Sequence, residues 1–312
     1  MDPVTDPPPL PQGAPPGAAR FPAGARMLFG IGAQKAGTSW LHALLRRSAE
    51  VHAPPSKELH YFDVMAGRAD EALRLRVEQA RVLAGRLSAC PGPANRAALR
   101  QLRETAELLE IYTGAPGAPG PYLDYLLKGW AGQRIVADIT PAYAILDTPH
   151  FAEMAAIGRA RFLFVLRDPV ARIWSQVRMA VAARGGSEPG ARAAACRDRA
   201  IHLLESQRLP GLGRSDYART LAALEAAVPR ARIHCCFHED LVAPERSAAT
   251  VAALCRFLGI PRLEPDPHRP VNRGAALPLP PDLEARLRAA LAPQYEAMRA
   301  RFGPALPAEW RD

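Results

Sequence analysis

The segment RMLFGIGAQKAGTSWLHALLRRS, residues 26–48, constrains the fold of this chain more than any other. Its first part, 26–31, is a short run of large apolar residues and reads as a buried strand. The run stops at Gly32, crosses a loop bounded by Gly32 and Gly37, and restarts as a helix with Thr38 or Ser39 at its N-terminus. Glycine admits the positive φ that such a tight crossing needs and lets another group come close to the backbone. A strand, a glycine loop and a helix in that order form the opening unit of a parallel α/β sheet. The loop N–H groups and the first helical turn then point at one spot, which suits an anion.

The glycines keep the spacing of the nucleoside-triphosphate loop G-x-x-x-x-G-K-[ST], but the lysine does not. Thr38 stands where that lysine belongs, and Lys35 lies three residues earlier. The arrangement that grips a triphosphate and Mg²⁺ is therefore not reproduced. Lys35 sits inside the loop, beside the bridging or terminal oxygens of any anion held there. A glycine-rich strand-to-helix turn without a ligand is the plainer alternative.

Beyond the loop, further apolar runs at 134–140, 161–169 and 232–237 read as strands. Helical stretches at 68–112 (broken at CPGP, 90–93), 169–183, 217–228, 247–260 and 281–301 alternate with them. Apolar strands alternating with helices predict one α/β domain over 25–312, a P-loop-type parallel sheet flanked by helices, with a helical insertion at about 66–130. Residues 1–24, rich in Pro, Gly and Ala, read as a disordered tail. The loop PVNRGAALPLP covers 270–280.

Composition narrows the function. The net charge of +9 calls for an anionic partner, whether nucleic acid, a phosphorylated nucleotide or an acidic polysaccharide. Of the 40 basic residues only Lys35, Lys57 and Lys128 are lysine. Where arginine is the default cation, a lysine marks a need for a compact point charge. The five cysteines form no C-x-x-C and no zinc spacing, which predicts no metal site and free thiols in a reducing, cytoplasmic setting. No apolar run reaches the roughly 18 residues of a membrane span, and the N-terminus does not read as a secretory signal. The Arg-rich run 184–208 reads as a solvated helix face, and no nucleic-acid module is recognisable, so no nucleic-acid partner is expected.

Two more stretches carry chemistry. In SKELHYFD, residues 56–63, an extended backbone would turn Glu58 and His60 to one side, giving a carboxylate–imidazole pair able to move a proton. An edge strand whose Glu and His only make hydrogen bonds is the alternative. In FLFVLRDPVARIWSQ, residues 162–176, a strand ends at Arg167, turns at Asp168-Pro169 and becomes a helix carrying Ser175. Arg167 leaves the carboxyl end of its strand, where ligands of open α/β sheets bind, and with Ser175 it can grip a second phosphate.

Taken together, these stretches resemble the PAPS-dependent sulfotransferases, in particular the bacterial relatives of the heparan-type carbohydrate enzymes. QKAGTSWL is similar to that family's 5′-phosphosulfate loop, FVLRDPVARIWSQ to its 3′-phosphate segment and KELHYFD to its catalytic segment. ADITPAY (137–143) and RIHCCFHEDL (232–241) add to the likeness, which spans about residues 27–302. The resemblance implies sulfuryl transfer from PAPS, as co-substrate and without metal, to a carbohydrate or small-molecule hydroxyl or amine. It implies Glu58 as general base, His60 as its assistant and Lys35 as the cation on the leaving oxygen. Gly37, Thr38 and Ser39 would hold the 5′-phosphate, with Lys35, Ala36 and Trp40 also among the nucleotide-binding residues, Arg167 and Ser175 would hold the 3′-phosphate, and Arg273 sits in a late loop closing over the nucleotide. One departure is Ile139, where some heparan enzymes carry a lysine before Thr-Pro. The competing reading is a P-loop phosphoryl transferase using ATP. It lacks the lysine after Gly37 and an obvious acidic Mg²⁺ ligand, for which Asp168 is a poor substitute.

Overall fold

The computed structural model describes residues 21–89, 92, 95–114, 117–184, 188–206, 213–265 and 277–310. The strands are β1 (Arg26–Gly32), β2 (Val51–His52), β3 (Ile135–Ile139), β4 (Arg161–Leu166) and β5 (Ile233–Phe237). They pair in the order β2-β3-β1-β4-β5, and every pairing is parallel. The α/β architecture expected from the alternation is the one found. Parallel neighbours need crossovers, and helices on both faces supply them. That double cover explains why β1, β3 and β4 are apolar almost throughout instead of alternating.

The chain runs from β1 to β2 and β3 on one side of the sheet, then crosses to β4 and β5 on the other. The central strand β1 is thus the switch point, and the crevice outside its carboxyl end is where an open α/β sheet binds ligands. Four segments leave the sheet there side by side. They are Thr140 after β3, the glycine loop after β1, Arg167 after β4 and His238 after β5.

The helices are α1 (Thr38–Leu45), α2 (Tyr61–Met65), α3 (Asp70–Ala89), α4 (Arg96–Glu110), α5 (Gly120–Leu126) and α6 (Thr148–Ala155). After β4 come α7 (Pro169–Ala182), α8 (Pro189–Glu205) and α9 (Tyr217–Ala227). After β5 come α10 (His238–Val242), α11 (Pro244–Leu258), α12 (Pro281–Ala290) and α13 (Ala292–Phe302). Between β2 and β3, α3 and α4 pack on one another as a hairpin. Helix α11 ends on Gly259 at φ 70°, a left-handed cap that suits glycine.

Several expectations need correction. The last helical stretch is two helices split at Leu291, because Pro293 has no N–H to continue the ladder of α12 and sits instead in the first turn of α13. The two-residue strand β2 is too short to leave a periodic signature. The stretch 57–63 is not a strand: Glu58 and His60 have φ of 60° and 56°, and Tyr61 begins α2. Within the expected tail, Phe21 is buried, with its ring where a Cβ on Gly158 would collide. Residues 1–20 and Arg273 lie outside the described residues. No helix among the described residues is long and apolar enough to cross a membrane.

Candidate active site

The glycine loop is shaped by three residues at positive φ, Gly32 (155°), Lys35 (72°) and Gly37 (84°). Its Ala33 N–H donates to Val165 O (2.6 Å), tying the loop to β4. The Ala36 N–H donates to Ala33 O (3.1 Å), a bond within the loop that helps give it its shape. Gly37 is the N-cap of α1 and has no side chain to cap it. No acidic residue lies in the first turn either. The N–H groups that open α1 therefore carry partial positive charge toward the crevice, with no side-chain cap and no acidic residue in the first turn among the described residues.

Cations gather there. Lys35 Nζ lies 3.4 Å from Met179 Sδ on α7. Burial lowers the Lys35 pKa first, and Arg167, Arg178 and Lys57 add to that, while Glu58 opposes them. Three cations and one carboxylate thus act on this ammonium. Ser175 lies one turn before Met179 on α7, as residues four apart do, and Arg178, next to Met179 in the chain, acts on Lys35 by its charge. Arg167 Nη1 donates to Lys35 O (2.7 Å), the one hydrogen bond its guanidinium makes among the described residues. Arg167 therefore adjoins the loop directly. The loop after β1 and the end of β4 are neighbours because the two strands pair. Tyr217 Oη donates to Arg167 O (2.8 Å) and holds the turn from behind.

The Asp168 carboxylate has structural work. Its Oδ1 accepts from Ala171 N (2.7 Å), capping α7, and its Oδ2 accepts from Tyr295 Oη (2.6 Å). Trp40 is half-buried and packs on the core, and Trp174 donates its Nε1–H to Leu277 O (2.8 Å). Among the described residues no group of three or more His, Cys, Asp or Glu is arranged to hold a metal ion.

The Glu58–His60 pair sits beside the loop on an unusual backbone. Non-glycine residues at left-handed φ cost about 1–2 kcal/mol each, and here two occur one residue apart, Glu58 and His60. The turn they make still brings their side chains together, with His60 Nε2 3.8 Å from Glu58 Oε2. His60 Nδ1 meets Asp63 Oδ2 at 2.7 Å. Burial works to lower the His60 pKa, but the hydrogen bonds and charges of Asp63 and Glu58 outweigh it and raise it to about 9. For Glu58, desolvation works upward, yet the hydrogen bond from His60 and the charge of Lys57 hold the carboxyl at about 2. Glu58 is ionised and His60 protonated at neutral pH, and Glu58 keeps 40% of its side chain exposed to the crevice.

Sequence reasoning passed over Lys57 as a site residue, although it is one of three lysines and lies inside the motif. Its Nζ donates to Glu58 Oε1 (2.5 Å) and lies 3.4 Å from Thr38 Oγ1, so one ammonium spans Glu58 and the start of α1. His238 was also missed. It packs so closely on the loop that a Cβ at Gly37 would fall 2.9 Å from its Nδ1. Burial, helped by Arg167, drops its pKa to about 4, so it lines the loop as a neutral ring. The segment 138–143 supports the site from beneath. Asp138, fully buried, accepts from Thr140 Oγ1 (2.6 Å), Tyr143 Oη (2.9 Å) and Tyr122 Oη (3.0 Å). Thr140 Oγ1 in turn accepts from Leu59 N (2.9 Å). Ile139 points elsewhere in the sheet, its Cδ1 filling the space a Cβ on Gly30 would need.

A family model described as "Sulfotransferase family" matches residues 28–265. Among solved structures, the chain is similar to a sulfotransferase from Alicyclobacillus acidocaldarius, with a TM-score of 0.57 and 20% identity over 91% of this chain and 98% of that one. That likeness bears on the fold. A sulfotransferase domain from the Curacin biosynthetic pathway, with a TM-score of 0.45 and 16% identity over 86% of this chain and 97% of that one, is too distant in shape to weigh further. A comparison with curated proteins finds no match.

Proposed function

The chain belongs to the sulfotransferase family, and from that premise we propose that it moves a sulfuryl group from PAPS to an acceptor hydroxyl or amine by in-line displacement, releasing adenosine 3′,5′-bisphosphate. One observation carries the reading. An uncapped helix N-terminus is ringed by Lys35, Lys57, Arg167 and Arg178, and the carboxylate among these cations is the exposed, ionised Glu58. Such a site attracts an anion and keeps a base beside it.

In this reading Gly37, Thr38 and Ser39 hold the 5′-phosphate through the N–H groups that open α1, with the Thr38 and Ser39 hydroxyls beside them. Arg167 and Ser175 take the 3′-phosphate, a group that ATP lacks. The donor supplies an activated sulfur–oxygen bond. Lys35 stabilises the charge that gathers on the oxygen leaving with the phosphate. Glu58 takes the acceptor proton as the new bond to sulfur forms. Asp63 and His60 hold Glu58 in position, and His60 brings a positive charge to the crevice.

Lys57 links the two halves. A base held at a pKa of about 2 is always ionised but weak. An anion on the loop competes for the Lys57 ammonium, and as the Lys57–Glu58 pair loosens, Glu58 becomes more basic. The base is thus strengthened when the donor is in place.

The acceptor class follows from the resemblance noted above to the heparan-type relatives, and a carbohydrate or small metabolite is proposed. Incubating the protein and ³⁵S-labelled PAPS with fractionated metabolite extracts tests the proposal. Label moves into a new sulfated product in one or a few fractions. Label confined to donor and free sulfate with every fraction would count against transfer to a small acceptor.

A further inference from the structure

The left-handed turn at Glu58–His60 raises the question of what holds it. Neither residue is glycine, and the segment pairs with no strand. Left alone, such a backbone relaxes toward ordinary φ, and the two side chains part. The hydrogen bonds that prevent this come from elsewhere in the chain. From the sheet side, Thr140 Oγ1 accepts from the Leu59 N–H (2.9 Å) and Tyr143 Oη accepts from the Tyr61 N–H (3.2 Å). From the other side, an Arg76 Nη2–H donates to Glu58 O, and Tyr112 Oη donates to Leu59 O (2.6 Å).

The last two donors belong to the helical hairpin. Arg76 lies on α3 and is half-buried between the exposed Leu75 (64%) and Val77 (37%). Tyr112 lies in the 3₁₀ turn Ile111–Thr113 that ends α4. Both aim at consecutive carbonyls of the base-bearing turn. A guanidinium that only served solubility would face water, as its neighbours in the chain do. We infer that Arg76 and Tyr112 are positioning residues: the two arms of the α3–α4 hairpin clamp the Glu58 and Leu59 carbonyls and so hold the Glu58–His60 pair in register with the anion loop. The catalytic importance of the clamp rests on the base role proposed for Glu58. The geometric part does not.

The clamp has a readout that needs no acceptor. The raised proton affinity of His60 depends on Asp63 and Glu58 staying beside it, with Asp138 beneath and Arg214 acting on both Asp63 and Glu58. Releasing the turn separates His60 from Glu58, and its midpoint falls toward the ordinary histidine value. The experiment is a ¹H–¹³C NMR titration of histidine Cε1–H, with the His60 signal identified by its loss in His60→Gln. The wild-type protein titrates at His60 near 9. Arg76→Ala and Tyr112→Phe each lower that midpoint, the double variant by about one unit or more, and Arg76→Lys, which still donates to a carbonyl, restores much of it. Binding of adenosine 3′,5′-bisphosphate stays within about twofold of wild type, since the loop and Arg167 are untouched.

Should Arg76→Ala fail to fold, Tyr112→Phe, the loss of one hydroxyl, carries the test. Midpoints equal to wild type in Tyr112→Phe and the double variant would overturn the clamp. Glu58→Gln run alongside separates the two ideas. If that variant keeps full turnover while the clamp variants shift His60, the clamp stands and the role of Glu58 as base falls. If it loses turnover and His60 does not shift, the base stands and the clamp falls.

Discussion

Glu58→Gln lowers kcat by about 10²–10⁴, the range that loss of a general base produces, and leaves the affinity for adenosine 3′,5′-bisphosphate nearly unchanged. The amide has the shape of the carboxylate but cannot accept the proton of the acceptor. The Glu58 side chain is partly exposed, and its direct contacts are with Lys57 and His60. Two readouts follow. Steady-state kinetics with the acceptor returned by the labelled-PAPS screen gives the loss in kcat, and calorimetry gives the nucleotide affinity. The pH profile adds a sign. Glu58 is held at about 2 and is ionised throughout the working range, whereas His60 keeps its proton up to about 9. The wild-type rate therefore falls as the pH rises through about 9, where His60 loses its charge and its hold on Glu58. Turnover by Glu58→Gln at a tenth of the wild-type rate or better would put the base elsewhere.

Lys35→Ala lowers kcat by about 10²–10³, as removal of a single oxyanion donor does, with a smaller effect on nucleotide binding. The ammonium is half-buried, crowded by Arg167, Arg178 and Lys57, and tethered by the weak contact to Met179. A cation in that position gains little from its own protein and most from a negative charge arriving beside it. That charge is largest on the leaving oxygen in the transition state, so the loss falls on kcat more than on KM. Equal affinity loss and no change in kcat would make Lys35 a binding residue only.

The parallel α/β sheet and the strand–glycine loop–helix unit were legible because they rest on local signals, whereas the strand order was not. A buried apolar run, two glycines and a helix start can be read within 20 residues, and the meeting of Lys35 with Arg167 follows once β1 and β4 are neighbours. Alternation in KELHYFD offered the pairing of Glu58 with His60, and the resemblance of three motifs supplied their expected roles. The geometry of the pair was not legible. Alternation predicts a strand for KELHYFD, and the left-handed turn found instead is imposed by Arg76, Tyr112, Thr140 and Tyr143, which are 18 to 82 residues away in the chain. No periodicity records such bonds. Lys57 could have been found, because its rarity as a lysine and its place beside Glu58 were both visible.

The central claim is that the crevice recognises a nucleotide by two anions, at the α1 N-terminus and at Arg167. Calorimetric titrations in EDTA test it most directly, with adenosine 3′,5′-bisphosphate and adenosine 5′-monophosphate as ligands on the wild-type protein and on Arg167→Ala. The bisphosphate binds the wild type at least about tenfold more tightly than the monophosphate, equivalent to about 1.4 kcal/mol, and Arg167→Ala removes most of that difference while leaving the monophosphate affinity in place. Equal affinities for the two nucleotides, or a difference that survives in Arg167→Ala, would contradict it.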